Sequence, residues 1–316
     1  MQLPDSATQP TMYFIGVTTT KSSIMKLFPL WAKELGLDNA VLKGIDIDIH
    51  DEDQVYQDVV NFIKNDPESK GALVTTHKID LYNAAKENFD YLDPYAKMLD
   101  EISSISKSEN GNELRGHAKD PITSGLALEE FVPENYWQKG GEVFLMGAGG
   151  STLAISSYLT DKKHGDNVPK KIIISNRSEQ RLVSAKNLLS KLDTTTEFEF
   201  HYAPNPEDND KILETLSPHS LVVNATGLGK DRPGSPLTDK GVFPNDSLAW
   251  ELNYRGELDF MHQAIAQKED RNLHVEDGWI YFIHGWTQVI GEVFNVDIKS
   301  HINQLEQIAA DFQKNK

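Results

Sequence analysis

The sequence predicts an α/β protein of two lobes, each a sheet joined by crossover helices. Short apolar runs alternate with segments of helical period along the chain. A glycine turn, GAGGS at 147–151, falls between one such run and a helix of small residues. The 316 residues are too many for one ordinary core and comfortable for two.

The elements follow in order. Met12 to Val17 reads as a first strand, and Ser22 to Leu35 as a helix with Met25, Phe28 or Leu27, and Trp31 at helical spacing, stopped by Gly36. GIDIDIH, at 44–50, alternates Ile45, Ile47 and Ile49 with Asp46 and Asp48, as a strand with one wet face does. Val55, Val59, Phe62 and Ile63 mark a helix; Ala72 to Thr75 is the next strand, with a helix beginning near Ile79. Lys78 is thereby placed at the carboxyl end of a strand, the edge where open α/β sheets bind ligands. The segment LRGHAKDPITSGLALEEF runs through Gly116 and Asp120 into a helix, and VPENYWQKGG follows with Pro and Gly punctuation.

The second lobe opens with the strand EVFLM, the glycine turn and a helix, then KKIII as the partner strand of a βαβ unit. Further strands are expected at Phe198 to Tyr202, Leu221 to Ala225 and Leu248 to Leu252, and helices at Trp279 to Phe294 and Ile298 to Phe312. The expected division is residues 11–122, with the C-terminal helix 297–316 packing back on them, and residues 123–296.

Composition narrows the function. Apolar content of 39% with 25% charged residues is that of a globular chain. A net charge of -17 argues against nucleic acid and anionic membrane as partners. With no cysteine, disulfides, thiolate metal sites and cysteine nucleophiles are excluded. The opening MQLPDSATQPTM has neither a basic segment nor an apolar core, so a cytoplasmic protein is expected, with residues 1–10 loose. His77, His117 and His284 lack metal-ligand spacing, so no metal is expected.

Three motifs suggest a dinucleotide. In GAGGS, Gly147, Gly149, Gly150 and Ser151 let the backbone approach a pyrophosphate at a helix N-terminus. In SNRSEQR, Asn176, Arg177 and Arg181 sit where such folds read the adenosine ribose; the two arginines suit a 2′-phosphate, whereas Glu179 suits a free diol. NADP or NAD is expected, leaning to NADP. In NATGLG, Asn224 and Thr226 leave room for the nicotinamide half. Lys78 with Asp120 forms a candidate proton-transfer pair, and Lys119 is a rival for the lysine.

In this order the motifs resemble the shikimate/quinate dehydrogenase family over nearly the whole chain. Gly16 and Ser22 fit its first glycine and serine, LVTTHK its Asn-Val-Thr-x-Pro-x-Lys signature with Val74 and Thr75 in register, GHAKD its Gly-x-Asn-Thr-Asp segment, ELNY its tyrosine at Tyr254, and DGWIYF its Asp-Gly helix start at Gly278. The resemblance implies an α/β substrate-binding and catalytic lobe and a Rossmann-type dinucleotide-binding lobe. The activity implied is reversible hydride transfer between a nicotinamide cofactor and a ring hydroxyl or ketone of a cyclic polyhydroxy acid. Lys78 and Asp120 become the catalytic pair, and Gly278 joins the cofactor residues. Ser22, Thr75, Ser104, Tyr254 and Gln288 become the substrate residues, in a protein for which a homodimer is entertained.

Departures cluster on the substrate side. Ungapped, the family's lysine falls on Ile79, so Lys78 takes the role through a one-residue shift. Leu73, His77 and Ile24 replace an asparagine, a proline and a serine; Ser104 and Ile105 replace an Asn-Thr pair; Gly285 replaces a glutamine, for which Gln288 stands in. A related alicyclic or polyol substrate is therefore expected, and a cofactor-binding regulator without catalysis is the alternative.

Overall fold

The computed structural model describes residues 3–230 and 232–314. The chain divides into two compact units, Met1–Lys119 with Gly285–Lys316, and Asp120–His284.

The first unit holds a six-stranded sheet of β1 (Thr11–Gly16), β2 (Val41–Asp46), β3 (Ser69–Val74), β4 (Tyr91–Leu92), β5 (Ser104–Lys107) and β6 (Leu114–His117), in the order β2-β1-β3-β5-β6-β4. Strand β1 is parallel to β2 and β3, whereas β5 is antiparallel to both β3 and β6. Two reversals leave β6 parallel to β3, so both end at the same edge of the sheet.

Helices α1 (Ile24–Glu34), α2 (Asp53–Asn65), α3 (Lys78–Ala85) and α4 (Pro94–Leu99) connect the strands. Helix α2 buries Tyr56, Val59, Val60 and Ile63 against Tyr13, Ile15 and Val74 of the sheet, while Val55 and Phe62, expected on the same stripe, are half-buried beside them.

The strand expected over 44–50 lies three residues earlier. Ile45 and Ile47 are buried, but the chain turns at His50, whose φ is 58°, before the alternation is complete. Asp46 ends the strand by accepting the Thr19 backbone N–H at 2.8 Å. The start of the chain is not loose over its described part, because Ala7 is buried and its N–H donates to Asp66 Oδ2 at 2.8 Å. Met1 and Gln2 lie outside the described residues.

The second unit is a six-stranded, wholly parallel sheet of β7 (Val143–Met146), β8 (Lys171–Asn176), β9 (Glu197–Tyr202), β10 (Leu221–Asn224), β11 (Leu248–Glu251) and β12 (His274–Glu276). Its order, β12-β11-β10-β7-β8-β9, is the doubly wound order of dinucleotide-binding sheets, with the winding direction reversing between β7 and β10. The inner strands VFLM, LVVN and LAWE are buried throughout, as strands covered on both faces must be.

Helices α5 (Asp120–Phe131), α6 (Gly150–Leu159), α7 (Glu179–Leu189), α8 (Pro206–Leu213), α9 (Asp259–Ala266) and α10 (Lys268–Arg271) belong to this unit. Helix α11 (Trp279–Phe294) carries the chain back to the first unit, crossing at Gly285 rather than at 297. There α12 (Ile302–Lys314) packs on α1, with the Trp31 indole N–H donating to the Leu305 carbonyl at 2.8 Å. No helix among the described residues is long and apolar enough to cross a membrane.

Candidate active site and nucleotide pocket

The carboxyl edge of the first sheet gathers several predicted residues. Thr75 follows β3 and donates its backbone N–H to Ile15 of β1 at 3.0 Å. Thr76 has φ 59°, and the His77 N–H closes back on the Thr75 carbonyl at 2.5 Å. A β-branched residue in the left-handed region is a true outlier, and such strain concentrates at functional sites. The strained turn delivers Lys78 as the first residue of α3, half-buried.

His77, at 0% exposure, fills the base of this turn, with Tyr56 Oη 3.4 Å from its Nδ1. Burial pushes its pKa down, keeping the ring neutral. Ser22 follows β1 through a short 3-10 turn, and Ser104 pairs with Leu73 and His117 at the same sheet edge. The Ser104 hydroxyl is buried without a hydrogen-bond partner.

Beyond β6 the chain enters Asp120, the first residue of α5 and 8% exposed, whose backbone carbonyl accepts from Thr123 Oγ1 at 3.1 Å. Lys119 is committed elsewhere: its Nζ lies 2.6 Å from Glu292 Oε2, and His117 Nε2 lies 3.2 Å from Glu292 Oε1. Burial works to raise the Glu292 carboxyl, but Lys119 and His117 prevail and hold it below the usual range. This engagement weighs against Lys119 as the rival lysine. Gln288 sits one turn before Glu292 on α11, half-buried.

The second unit carries a cavity of about 670 Å³ at the switch point of its sheet, a volume ordinary for a ligand site. Gly147, Gly149, Asn176, Arg177, Arg181 and Thr226 line it. Gly147 has φ 118°, and a Cβ there would lie 2.5 Å from the Ala225 carbonyl oxygen, so only glycine brings β7 and β10 out side by side. At Gly149, which also lines the cavity, a Cβ would meet nothing within 4 Å.

Gly150 and Ser151 begin α6, whose free N–H groups suit an anion. Ser178 caps α7 and places Arg177 and Arg181, both exposed, on the rim, whereas Glu179 does not line the cavity. Arg232 also lines it, a residue that no sequence motif singled out. A larger groove, about 1200 Å³, lies at the amino edge of the first sheet, lined by Pro10, Ser69 and Lys107. That is the wrong edge for ligand binding in an open α/β sheet.

Three predicted residues are held by the protein itself. Asn224 is wholly buried, donating from Nδ2 to Glu251 at 2.7 Å and accepting from Thr226 N–H and Oγ1 at 3.1 and 2.7 Å. Gly278 is a packing glycine, because a Cβ there would lie 2.0 Å from the Leu252 carbonyl oxygen. Tyr254 belongs to an aromatic cluster, its ring centroid 4.5 Å from Phe282 and 5.5 Å from Trp279.

Glu251, buried at 0% exposure, was not anticipated. It accepts from Asn224, from Asn253 N–H at 2.9 Å and from Asn253 Nδ2 at 2.7 Å. Burial pushes its carboxyl up to about 7 against the pull of these bonds. A carboxylate three residues before a tyrosine was a weak signal, readable only with the sheet order known.

No family model matches the chain. Among curated proteins, the NADP(+) shikimate dehydrogenase of Streptococcus thermophilus is 27% identical over 184 residues, which is 57% of this chain and 58% of that protein. The NADP(+) shikimate dehydrogenase of Lactococcus lactis is 24% identical over 179 residues, 56% of this chain and 59% of its own length. The chain thus spans less than two thirds of the length of these relatives.

Among solved structures, quinate dehydrogenase from Corynebacterium glutamicum in complex with NAD superposes with a TM-score of 0.72 at 17% identity, covering 97% of this chain and 99% of the other. Shikimate 5-dehydrogenase from Listeria monocytogenes, in complex with shikimate and NAD, gives 0.72 at 16% identity with the same coverage. These structural likenesses carry the two-unit fold across nearly the full chain. In sequence the chain is similar to NADP(+) shikimate dehydrogenases over somewhat more than half of its length, and in fold it is similar to shikimate and quinate dehydrogenases over nearly all of it.

Proposed function

We propose that the protein is a nicotinamide-dependent dehydrogenase acting on a CH–OH group of a shikimate-, quinate- or polyol-like ring. The observation that carries this reading is the cavity at the β7/β10 switch point, whose glycine turn leaves open space where a pyrophosphate approaches. The residues fit a dinucleotide: Gly147, Gly149 and the first N–H groups of α6 would hold the diphosphate, and Asn176 would approach the ribose. Arg177 and Arg181 would meet a 2′-phosphate, which favours NADP. A bound nicotinamide supplies the hydride acceptor, or in reverse the donor.

Lys78 takes the proton of the substrate hydroxyl as the neighbouring C–H bond is broken, and returns it in the reverse direction. Asp120 orients the ammonium and the substrate. Ser22, Thr75, Ser104, Tyr254 and Gln288 are the proposed recognition residues, and Leu73, His77 and Ile24 move the ring preference away from shikimate itself.

Turnover assays with a panel of cyclic hydroxy acids and polyols, followed by the absorbance of reduced nicotinamide, test this reading. Turnover with one of them is expected. Tight cofactor binding without turnover on any would favour the regulator, a reading supported by the substrate-side departures.

A further inference from the structure

We propose that Glu251 is a positioning residue of the nucleotide pocket: its carboxylate gathers Asn224 and Asn253 and through them sets the turn at 224–229 that walls the cavity. The inference rests on the nucleotide reading of that pocket. Asn224 Oδ1 accepts the Thr226 backbone N–H, which can only donate, so Nδ2 must face Glu251. Asn253 Nδ2 donates to the Leu228 carbonyl at 3.0 Å, which can only accept, so this amide is oriented too. Leu228 also accepts from Asn224 Nδ2 at 3.2 Å.

The partners Glu251 meets in this network are therefore donors: Asn224 Nδ2, Asn253 N–H and Asn253 Nδ2. A proton on the carboxyl finds no acceptor among them and weakens the oxygen it occupies as an acceptor, so the network in this form favours the charged group. Burial opposes that charge, as does Asp277, the acidic group facing it from beyond β12; together they bring the carboxyl to about 7 despite the three donors. Thr226 lines the cavity, and the Ala225 carbonyl abuts Gly147, so loosening this turn disturbs both the nicotinamide side and the glycine turn.

The charged form holds the turn above neutrality, and protonation releases it below. Global stability runs the other way. A carboxyl whose folded pKa is raised above its ordinary value binds its proton more tightly in the native state, so its contribution to stability falls as pH rises toward 7. A residue that merely supports the fold would move stability and binding together.

The test is calorimetric titration with NAD+ across about pH 6 to 8 on the wild type and on Glu251→Gln. NAD+ is the probe because it lacks a 2′-phosphate, whose second ionisation near pH 6 would overlap. A single group titrating near 7 predicts binding about tenfold tighter at pH 8 than at pH 6 in the wild type. In Glu251→Gln the profile should be flat and the binding weak.

Hydrogen exchange at the Thr226 and Leu228 amides, read without cofactor, should show protection that is pH-dependent in the wild type and lost in the variant. A pH-independent wild-type affinity, or the same profile in Glu251→Gln, overturns the proposal. If the wild type binds no nicotinamide nucleotide at any pH, the nucleotide reading itself has failed, and unchanged exchange in the variant then overturns the positioning role separately. Should the variant not fold, the wild-type profile and exchange decide alone.

Discussion

Two glycines of one turn should respond to alanine in opposite ways. At Gly147 the added methyl meets the Ala225 carbonyl oxygen at 2.5 Å and its carbon at 2.8 Å, and the backbone has φ 118°. Holding a non-glycine residue in that region costs about 1–3 kcal/mol, and forcing two strand exits apart adds about 1–3 kcal/mol. Gly147→Ala should therefore lose about 2–6 kcal/mol, a large share of a typical folding free energy of roughly 5–15 kcal/mol. At Gly149, φ is -102° and the methyl meets nothing within 4 Å. Gly149→Ala should lose less than about 1 kcal/mol of stability, since only a helix cap changes. On the proposed reading its methyl would stand in the path of the diphosphate, so its cofactor affinity should fall at least about tenfold, equivalent to 1.4 kcal/mol. Urea denaturation and calorimetric titration with NADP+ separate the two effects. Equal destabilisation by both variants, or wild-type affinity in Gly149→Ala, would refute the assignment of the open space to a ligand.

Arg177→Ala should weaken NADP+ about tenfold or more while leaving NAD+ within about twofold, because one charge-assisted contact to phosphate contributes about 1.5–3 kcal/mol; equal losses for both cofactors would remove Arg177 from the phosphate. Trp31→Phe leaves the Leu305 carbonyl without its indole donor beneath α12, which should cost about 1–3 kcal/mol in urea denaturation. An unchanged midpoint would show that α12 is held by apolar packing alone.

Much of this architecture was legible because burial on two faces leaves a plain mark. VFLM, KIIIS and LVVN are apolar runs bounded by turn residues, and the glycine turn between the first two names its own helix. Elements whose stability comes from neighbours were not legible. Strand β4 has two residues, β5 and β6 four each, and β12 reads HVE, none long enough to show a period. The 44–50 alternation misled because Ile47 is buried beyond the end of its strand. At the site, the Gly147 turn was legible through its backbone requirement, and Arg177 and Arg181, singled out for their charge, lie on the cavity. Asn224 was read as a cofactor ligand, but its polar atoms are spent on Thr226, Leu228 and Glu251. That becomes apparent only once β10 and β11 lie side by side.

The most direct measurement is turnover and cofactor affinity of Lys78→Ala beside the wild type, with whichever ring substrate the panel identifies. The strained turn at Thr76 and the position of Lys78 at the head of α3 lead to the expected result: NADP+ affinity within about twofold of wild type, with kcat reduced at least about a hundredfold, the usual share of a general acid/base. Near wild-type turnover in Lys78→Ala would contradict the account, whatever the second unit binds.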